Sequence, residues 1–360
     1  TATVSVESSD ADWKNQSPEE IGYFGDAGRP PESIVTPRIR ERGFSPNKLT
    51  VMTWNIWGRL NEDPRYMIDG KTSRDRTIEI IRNSGADVVA MIEAYGSARE
   101  IAAKLDYQCH TVADDANLCI FSRYPLTDVQ LLEGLNPFSF IAATVTLPRG
   151  QKVRVYDIWL TSGGRHIVDI KDDSVSDQQS ASGDDRRFDH LKQLLTHPQF
   201  KQDIDAANEI PLLVAGDFNC VSHLDYTPST RDRGLNYDRV LSIKASQAME
   251  QAGFIDTYRV ANPDITSKSL GCTWTTVGKN YVYESDKGFV KVPQNETHPR
   301  PQYRDLYTRI DYIYCQGERL RVETSRVVNR HPAYPDRQFP AFPSDHAAVV
   351  TTFDVIGSKR

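Results

Sequence analysis

Long apolar runs are what this sequence most plainly lacks: no stretch approaches the roughly 20 residues that cross a bilayer. An excess of positive charge is lacking too, since 43 Lys and Arg face 49 Asp and Glu, for a formal charge of −6. That balance argues against a generally basic face of the kind that grips nucleic acid. One local exception holds Arg319, Arg321, Arg326, Arg330, His331 and Arg337, and it reads either as a solvated strand-and-loop edge or as a basic strip. Cysteine is scarce, and Cys109, Cys119, Cys220, Cys272 and Cys315 form neither a CxxC pair nor a zinc-finger spacing. Three of them, Cys119, Cys220 and Cys315, sit in or beside apolar runs, where cysteine behaves as a small hydrophobe. Also missing are a glycine-rich phosphate loop, a serine-centred nucleophile elbow and an HExxH pair. The sequence opens on Thr1 rather than Met, which fits a removed leader, so a secreted or extracytoplasmic location is the expectation.

What is present is an alternation of short strands and amphipathic helices. Residues 1–48 are polar and punctuated by Pro and Gly, and read as an extension with one strand at Thr3–Val6. Residues 49–360 form the main domain. Apolar periodicity predicts strands at 49–56, 87–93, 107–112, 117–121, 139–147, 153–160, 211–217, 309–315, 320–328 and 347–354. Helices are expected at 73–84, 97–105, 187–196 and 238–252, the third stopping before Pro198. Strands mixed with helices over this length imply an α/β sandwich with helices on its outer faces. Three polar insertions, 162–186, 222–237 and 275–307, each follow a strand with polar residues at its end and read as rims of a site.

Those strand ends are the informative feature. Alternation in Leu49–Asn55 puts Val51, Thr53 and Asn55 on one face, so the strand finishes in an amide. Glu93 ends an apolar run, and Asp217 and Asn219, two apart, point the same way while Phe218 points into the core. Gly216 leaves room for a ligand or a neighbouring backbone. Asp311 lies inside an apolar strand, and Asp345 and His346 feed straight into another. Five strands bearing such groups imply that they converge at one sheet edge. Oxygen donors without cysteine favour a hard cation, Mg²⁺ or Mn²⁺. Amides and a histidine can hold phosphoryl oxygens as charge develops on them, and a cation there assists in-line attack by water.

In this order, TWNIW (Thr53–Trp57), MIEA (Met91–Ala94), AGDFN (Ala215–Asn219), RIDYI (Arg309–Ile313) and PSDHAAV (Pro343–Val349) resemble the endonuclease/exonuclease/phosphatase superfamily. The group includes pancreatic-type deoxyribonuclease, abasic-site endonucleases, inositol polyphosphate phosphatases and neutral sphingomyelinases. The resemblance spans about Leu49 to Val355. It implies a four-layer α/β sandwich, two central mixed β-sheets flanked by helices, with the site at one end. It also implies that Asn55, Glu93 and Asp345 surround the metal, with Glu93 the principal ligand. Asp217 would position or deprotonate the attacking water, Asn219 would orient the phosphate, and Asp311 would pair with His346 against it.

One strand departs from the pattern. Many members read N-x-H-L where this chain has Asp157-Ile-Trp-Leu160, so Trp159 stands in place of a histidine. That speaks against duplex-DNA cleavage of the pancreatic type, and the expectation is that His223, with Asp225 two residues on, supplies the missing proton donor. The leading expectation is hydrolysis of a small or lipid-like phosphomonoester or phosphodiester. A nuclease using the Arg319–Arg337 strip, and a non-catalytic scaffold with a degenerate site, are the alternatives.

Overall fold

A sheet whose strands are apolar on both sides must be covered on both sides, and this chain covers two sheets with each other and with helices. The computed structural model describes residues 47–58, 61–129, 131–163, 166–277, 281–284, 288–292 and 307–357. Up to residue 46, the expected extension and its strand at Thr3–Val6 lie outside the described residues.

The chain begins with β1 (Lys48–Asn55), α1 (Ser73–Ser84), β2 (Val88–Ile92), α2 (Ala98–Leu105), β3 (Gln108–His110) and β4 (Cys119–Ser122). It continues through β5 (Leu126–Thr127), β6 (Phe140–Thr146) and β7 (Lys152–Trp159). Four helices follow, α3 (His166–Asp169), α4 (Asp177–Ser182), α5 (Asp185–Thr196) and α6 (Pro198–Asp205), then β8 (Leu212–Asp217). Next come α7 (Pro228–Arg231), α8 (Lys244–Gln251), β9 (Ile255–Asp256), α9 (Thr257–Ala261) and the hairpin of β10 (Tyr281–Glu284) and β11 (Gly288–Lys291). The last strands are β12 (Asp311–Gln316), β13 (Leu320–Val328) and β14 (Ala348–Val355).

One six-stranded sheet has the order β13-β14-β1-β2-β4-β3, and the other β5-β6-β7-β8-β12-β9. Both are mixed: β1 and β2 run parallel, as do β7 and β8, while their other described pairs are antiparallel. Val51, Ile92, Ile120, Val155, Leu213 and Ile313 pack between the sheets. Ile78, Ile81 and Ile101 of α1 and α2 cover the first sheet, and Leu191, Leu194, Phe200 and Met249 of α5, α6 and α8 cover the second. The result is the expected four-layer α/β sandwich. Cys119, Cys220 and Cys315 are buried within these clusters, as the apolar runs around them implied.

The ten predicted strands are found to within about two residues, whereas β5, β9, β10 and β11 fall outside the predicted spans and several connections differ. The segment 162–186 is not an open rim; it winds into α3 and α4, with Ser176 and Gln179 capping α4 reciprocally. The helix expected at 238–252 shortens to α8, because Asp238 takes left-handed and Arg239 and Ile243 extended backbone angles. Arg239 then anchors that stretch through hydrogen bonds to the carbonyls of Ile170, Asp172 and Val175. Pro198 does stop α5, but it also opens α6 at its first position, where its missing N–H has no helical partner to lose. In the third insertion, 281–284 and 288–291 form the hairpin, while 293–306 lies outside the described residues.

Asp157 is an unusual feature of the core. It lies fully buried on the β7 face that carries Val155 and Trp159 into the space between the sheets. Neither carboxylate oxygen has a hydrogen bond of normal geometry, and burial pushes its pKa well up, offset only in part by the backbone N–H groups of Cys119 and Met91. A carboxyl whose pKa is raised by folding contributes stability below its unfolded pKa of about 3.9 and loses it as pH rises toward the folded value. Asp157→Asn, neutral at every pH, is therefore expected to melt at a higher temperature than the wild type at pH 8. At pH 4 it should change little. Thermal melts at the two pH values test this, and a variant less stable at pH 8 refutes it.

Candidate active site

The topology gathers the polar strand ends. β1, β2 and β8 finish, and β12 and β14 begin, at the same end of the sandwich, with Asp311 directly opposite Asp217 in the ladder. Gly216 is needed there because a Cβ at that position would lie 1.9 Å from the Ile158 carbonyl oxygen of β7. A neighbouring backbone thus occupies the room that this glycine leaves. Asp217, Asp311, Glu93 and His346 are each no more than 6% exposed, and Asp345 is partly exposed.

His346 Nδ1 lies 3.0 Å from Asp311 Oδ2 and 3.3 Å from Oδ1. Its Nε2 stands 4.0 Å from Asp217 Oδ2. Burial opposes a charge on this imidazole, but the carboxylates of Asp311, Asp345 and Asp217 outweigh it and hold the pKa well above the ordinary histidine range. The backbone around the dyad is fixed by groups that the sequence did not single out. Trp54 Nε1 donates to the His346 carbonyl at 2.8 Å, and Ser344 Oγ accepts the His346 N–H and donates to the Asn55 carbonyl. Thr273 Oγ1 accepts the N–H groups of Ile310 and Asp311.

Asp217 accepts the Asn219 N–H at 2.8 Å and amide N–H groups from Asn219 and Asn55 at 3.2 and 3.3 Å. Burial first, and Asp311 second, raise its pKa to about 7. Asn219, expected to stand free for a phosphate, has Nδ2 on both the Leu160 carbonyl and Asp217, so it steadies the carboxylate. Asn55 likewise accepts the Trp57 N–H with its oxygen and donates to Glu93 at 2.7 Å. It is placed to orient Glu93 rather than to offer a cation an oxygen.

Glu93 supplies the sharpest test of whether a divalent cation fits. Its Oε2 is buried with no hydrogen-bond partner, and burial followed by the nearby Asp345 charge pushes its pKa well up. Asp345 itself is oriented by Trp274 Nε1 at 3.1 Å. Four carboxylates around one imidazole leave an excess of negative charge, and an unpartnered buried carboxylate oxygen is what a hard cation satisfies. Glu93 and Asp345 fit that role. Asp217, Asp311 and His346 also bring ligand atoms within 4.8 Å of one another, but the Nδ1 of His346 is already engaged by Asp311. Of the supporting groups, Trp54 and Ser344 lie within the motifs without having been given a role, and Thr273 and Trp274 carried no sequence signal.

The proposed donor pair does not reach the site. A turn closed by Asp225 N–H on the Ser222 carbonyl replaces the extended loop on which the two-residue spacing relied. His223 is held at both ring nitrogens, by Ser246 Oγ at 2.8 Å and Glu250 Oε2 at 3.0 Å. Asp225 is buried in a clamp with Arg259 and Arg309, and Arg309 also binds Asp256. This network ties the start of β12 to the loop after β8, and so fixes the strands that carry Asp311 and Asp217. The basic strip is divided along β13 as well. Leu320 pairs with Val355 and Val328 with Ala348, which leaves Arg319 and Arg321 at the end of β13 away from His346. Arg321 pairs with Asp354, Arg326 bonds the Ser84 carbonyl, and His331 is buried against Glu79.

Comparisons with known proteins agree with this fold. The Endonuclease/Exonuclease/phosphatase family model matches residues 52–346. The Caenorhabditis elegans protein named "Uncharacterized protein F14F9.5" is 26% identical over 321 residues, 86% of this chain and 92% of its own. Among solved structures, TDP2 from C. elegans matches with a TM-score of 0.50 at 18% identity, covering 88% of this chain and 78% of that one. D. rerio TDP2, humanized by 14 mutations, gives 0.50 at 16% identity, with 86% of this chain and 100% of that one covered. At these identities the two structures speak to the fold.

Proposed function

This chain belongs to the Endonuclease/Exonuclease/phosphatase family and is a phosphoric ester hydrolase, and from that premise we propose that it hydrolyses a small or lipid-like phosphate ester by direct attack of water. The observation that carries this reading is the buried Asp311–His346 pair facing Asp217, beside the bare oxygen of Glu93. Asp217, with its pKa near neutrality, takes the proton of the attacking water. His346, kept as imidazolium by Asp311, meets the negative charge that develops on a phosphoryl oxygen. Asn219 holds the reacting carboxylate of Asp217 in place, and Asn55 holds both Asp217 and Glu93. Mg²⁺ or Mn²⁺ at Glu93 and Asp345 would supply Lewis-acid polarisation of the phosphoryl group.

Two observations favour a small ester over duplex DNA. The reacting groups are recessed, and the β13 arginines are spread over the strand and engaged in local bonds. With Mg²⁺ present, turnover should be compared for an aryl monoester, an aryl diester, a micellar phospholipid diester and double-stranded DNA. The reading expects an aryl or lipid ester to be cleaved fastest and DNA slowest. Efficient DNA cleavage that falls steeply with salt would reverse it in favour of a nuclease.

A further inference from the structure

Glu93 leaves β2 with φ +58°, a backbone conformation that residues with side chains seldom adopt. Three contacts hold it there. Asn117 Oδ1 accepts the Glu93 N–H at 3.0 Å, and the Asn117 carbonyl accepts the next N–H, that of Ala94, at 3.0 Å. The Glu93 carbonyl accepts the Gly58 N–H at 2.8 Å, so close that a Cβ on Gly58 would lie 2.3 Å from that oxygen. Asn117 is buried on the connection between β3 and β4, in the first sheet. Its Nδ2 donates to the Phe138 carbonyl at 2.8 Å, in the segment leading into β6 of the second sheet. One side chain therefore joins the two sheets at the point where Glu93 turns out of the ladder. The Phe138 ring meets Trp159 edge-on, with centroids 5.4 Å apart and planes at 86°. The tryptophan that breaks the family pattern thus packs against the residue that holds Asn117.

We propose that Asn117, braced through Phe138 against Trp159, is a positioning residue that presets Glu93 for a divalent cation. The inference rests on reading Glu93 as a metal ligand. With its N–H, its carbonyl and the following N–H all engaged, Glu93 has little freedom to relax into extended backbone, so its carboxylate is aimed before any cation arrives. Partners of this kind orient ligands, and their loss typically weakens metal binding by about 10–100-fold. Without the Asn117 side chain, the buried Glu93 N–H also loses its acceptor.

The test is Mn²⁺ binding to the full chain, followed by the electron paramagnetic resonance signal of free Mn²⁺, for the wild type, Asn117→Ala, Asn117→Ser and Glu93→Gln. Asn117→Ala should bind about 10–100-fold more weakly, yet approach the wild-type kcat at saturating Mn²⁺. Trp159→Leu should weaken binding less, and should add little once Asn117 is already Ala, because it acts through the same contact. If Asn117→Ala does not fold, Asn117→Ser decides, since serine is too short to bridge Glu93 and Phe138. Wild-type affinity in the Asn117 variants with weakened binding in Glu93→Gln would overturn the inference alone. Wild-type affinity in Glu93→Gln would overturn the reading of the site with it.

Discussion

Replacing His346 with Ala is expected to lower kcat by about 10²–10³-fold, the range seen when a preorganised donor to developing charge is removed. Asp311→Asn should cost a similar order, and the double variant little more than either single change. The reason is that the two act as a unit: Asp311 fixes the ring through Nδ1 and sustains its charge, and with no imidazole present it has nothing to orient. The pH profile separates this from a structural effect. His346 must be protonated, and Asp311 is the largest of the influences that raise its pKa. Removing that charge lowers the pKa, so the alkaline limb of activity should move to lower pH in Asp311→Asn. Steady-state rates across pH for the four proteins of the cycle test it. Independent, additive losses with an unmoved alkaline limb would make Asp311 a structural carboxylate.

Most of the sandwich and the convergence of its site were legible because both follow from short periodicities. Strand alternation places Asp217 and Asn219 on one side, and the apolar runs that end at Glu93 and begin beside His346 bring the groups to one edge. The same rule failed at His223 and Asp225, since period two holds only where the chain is extended and Asp225 closes a turn on Ser222. Pairings between residues far apart in sequence were not legible at all. Nothing local tells that Asn117 reaches both Glu93 and Phe138, that Trp274 orients Asp345, or that Arg309 clamps Asp225 and Asp256. The roles of the two amides changed for a related reason. Residue type predicts that Asn55 and Asn219 can donate, but only the packing shows that their donors are already spent on Glu93, Asp217 and the Leu160 carbonyl. The basic strip was divided by the direction of the strand: Arg319 and Arg321 lie at one end of β13, while Arg330, His331 and Arg337 follow its other end.

The central claim, that this acidic cluster performs cation-assisted ester hydrolysis, is tested most directly by the metal. Rates on the best ester should be measured after chelation with EDTA, and again as Mg²⁺ or Mn²⁺ is returned, at several pH values. Burial and Asp345 keep Glu93 protonated above the usual carboxylate range, so a cation must displace a proton to bind. Half-activation should therefore need less metal as pH rises, by up to about tenfold per unit while one proton is exchanged. The account predicts loss of essentially all activity in EDTA, recovery with either cation, and a shallower pH trend in Glu93→Gln than in the wild type, because the raised carboxyl of Asp345 remains. Hydrolysis that continues at the full rate in EDTA would contradict it.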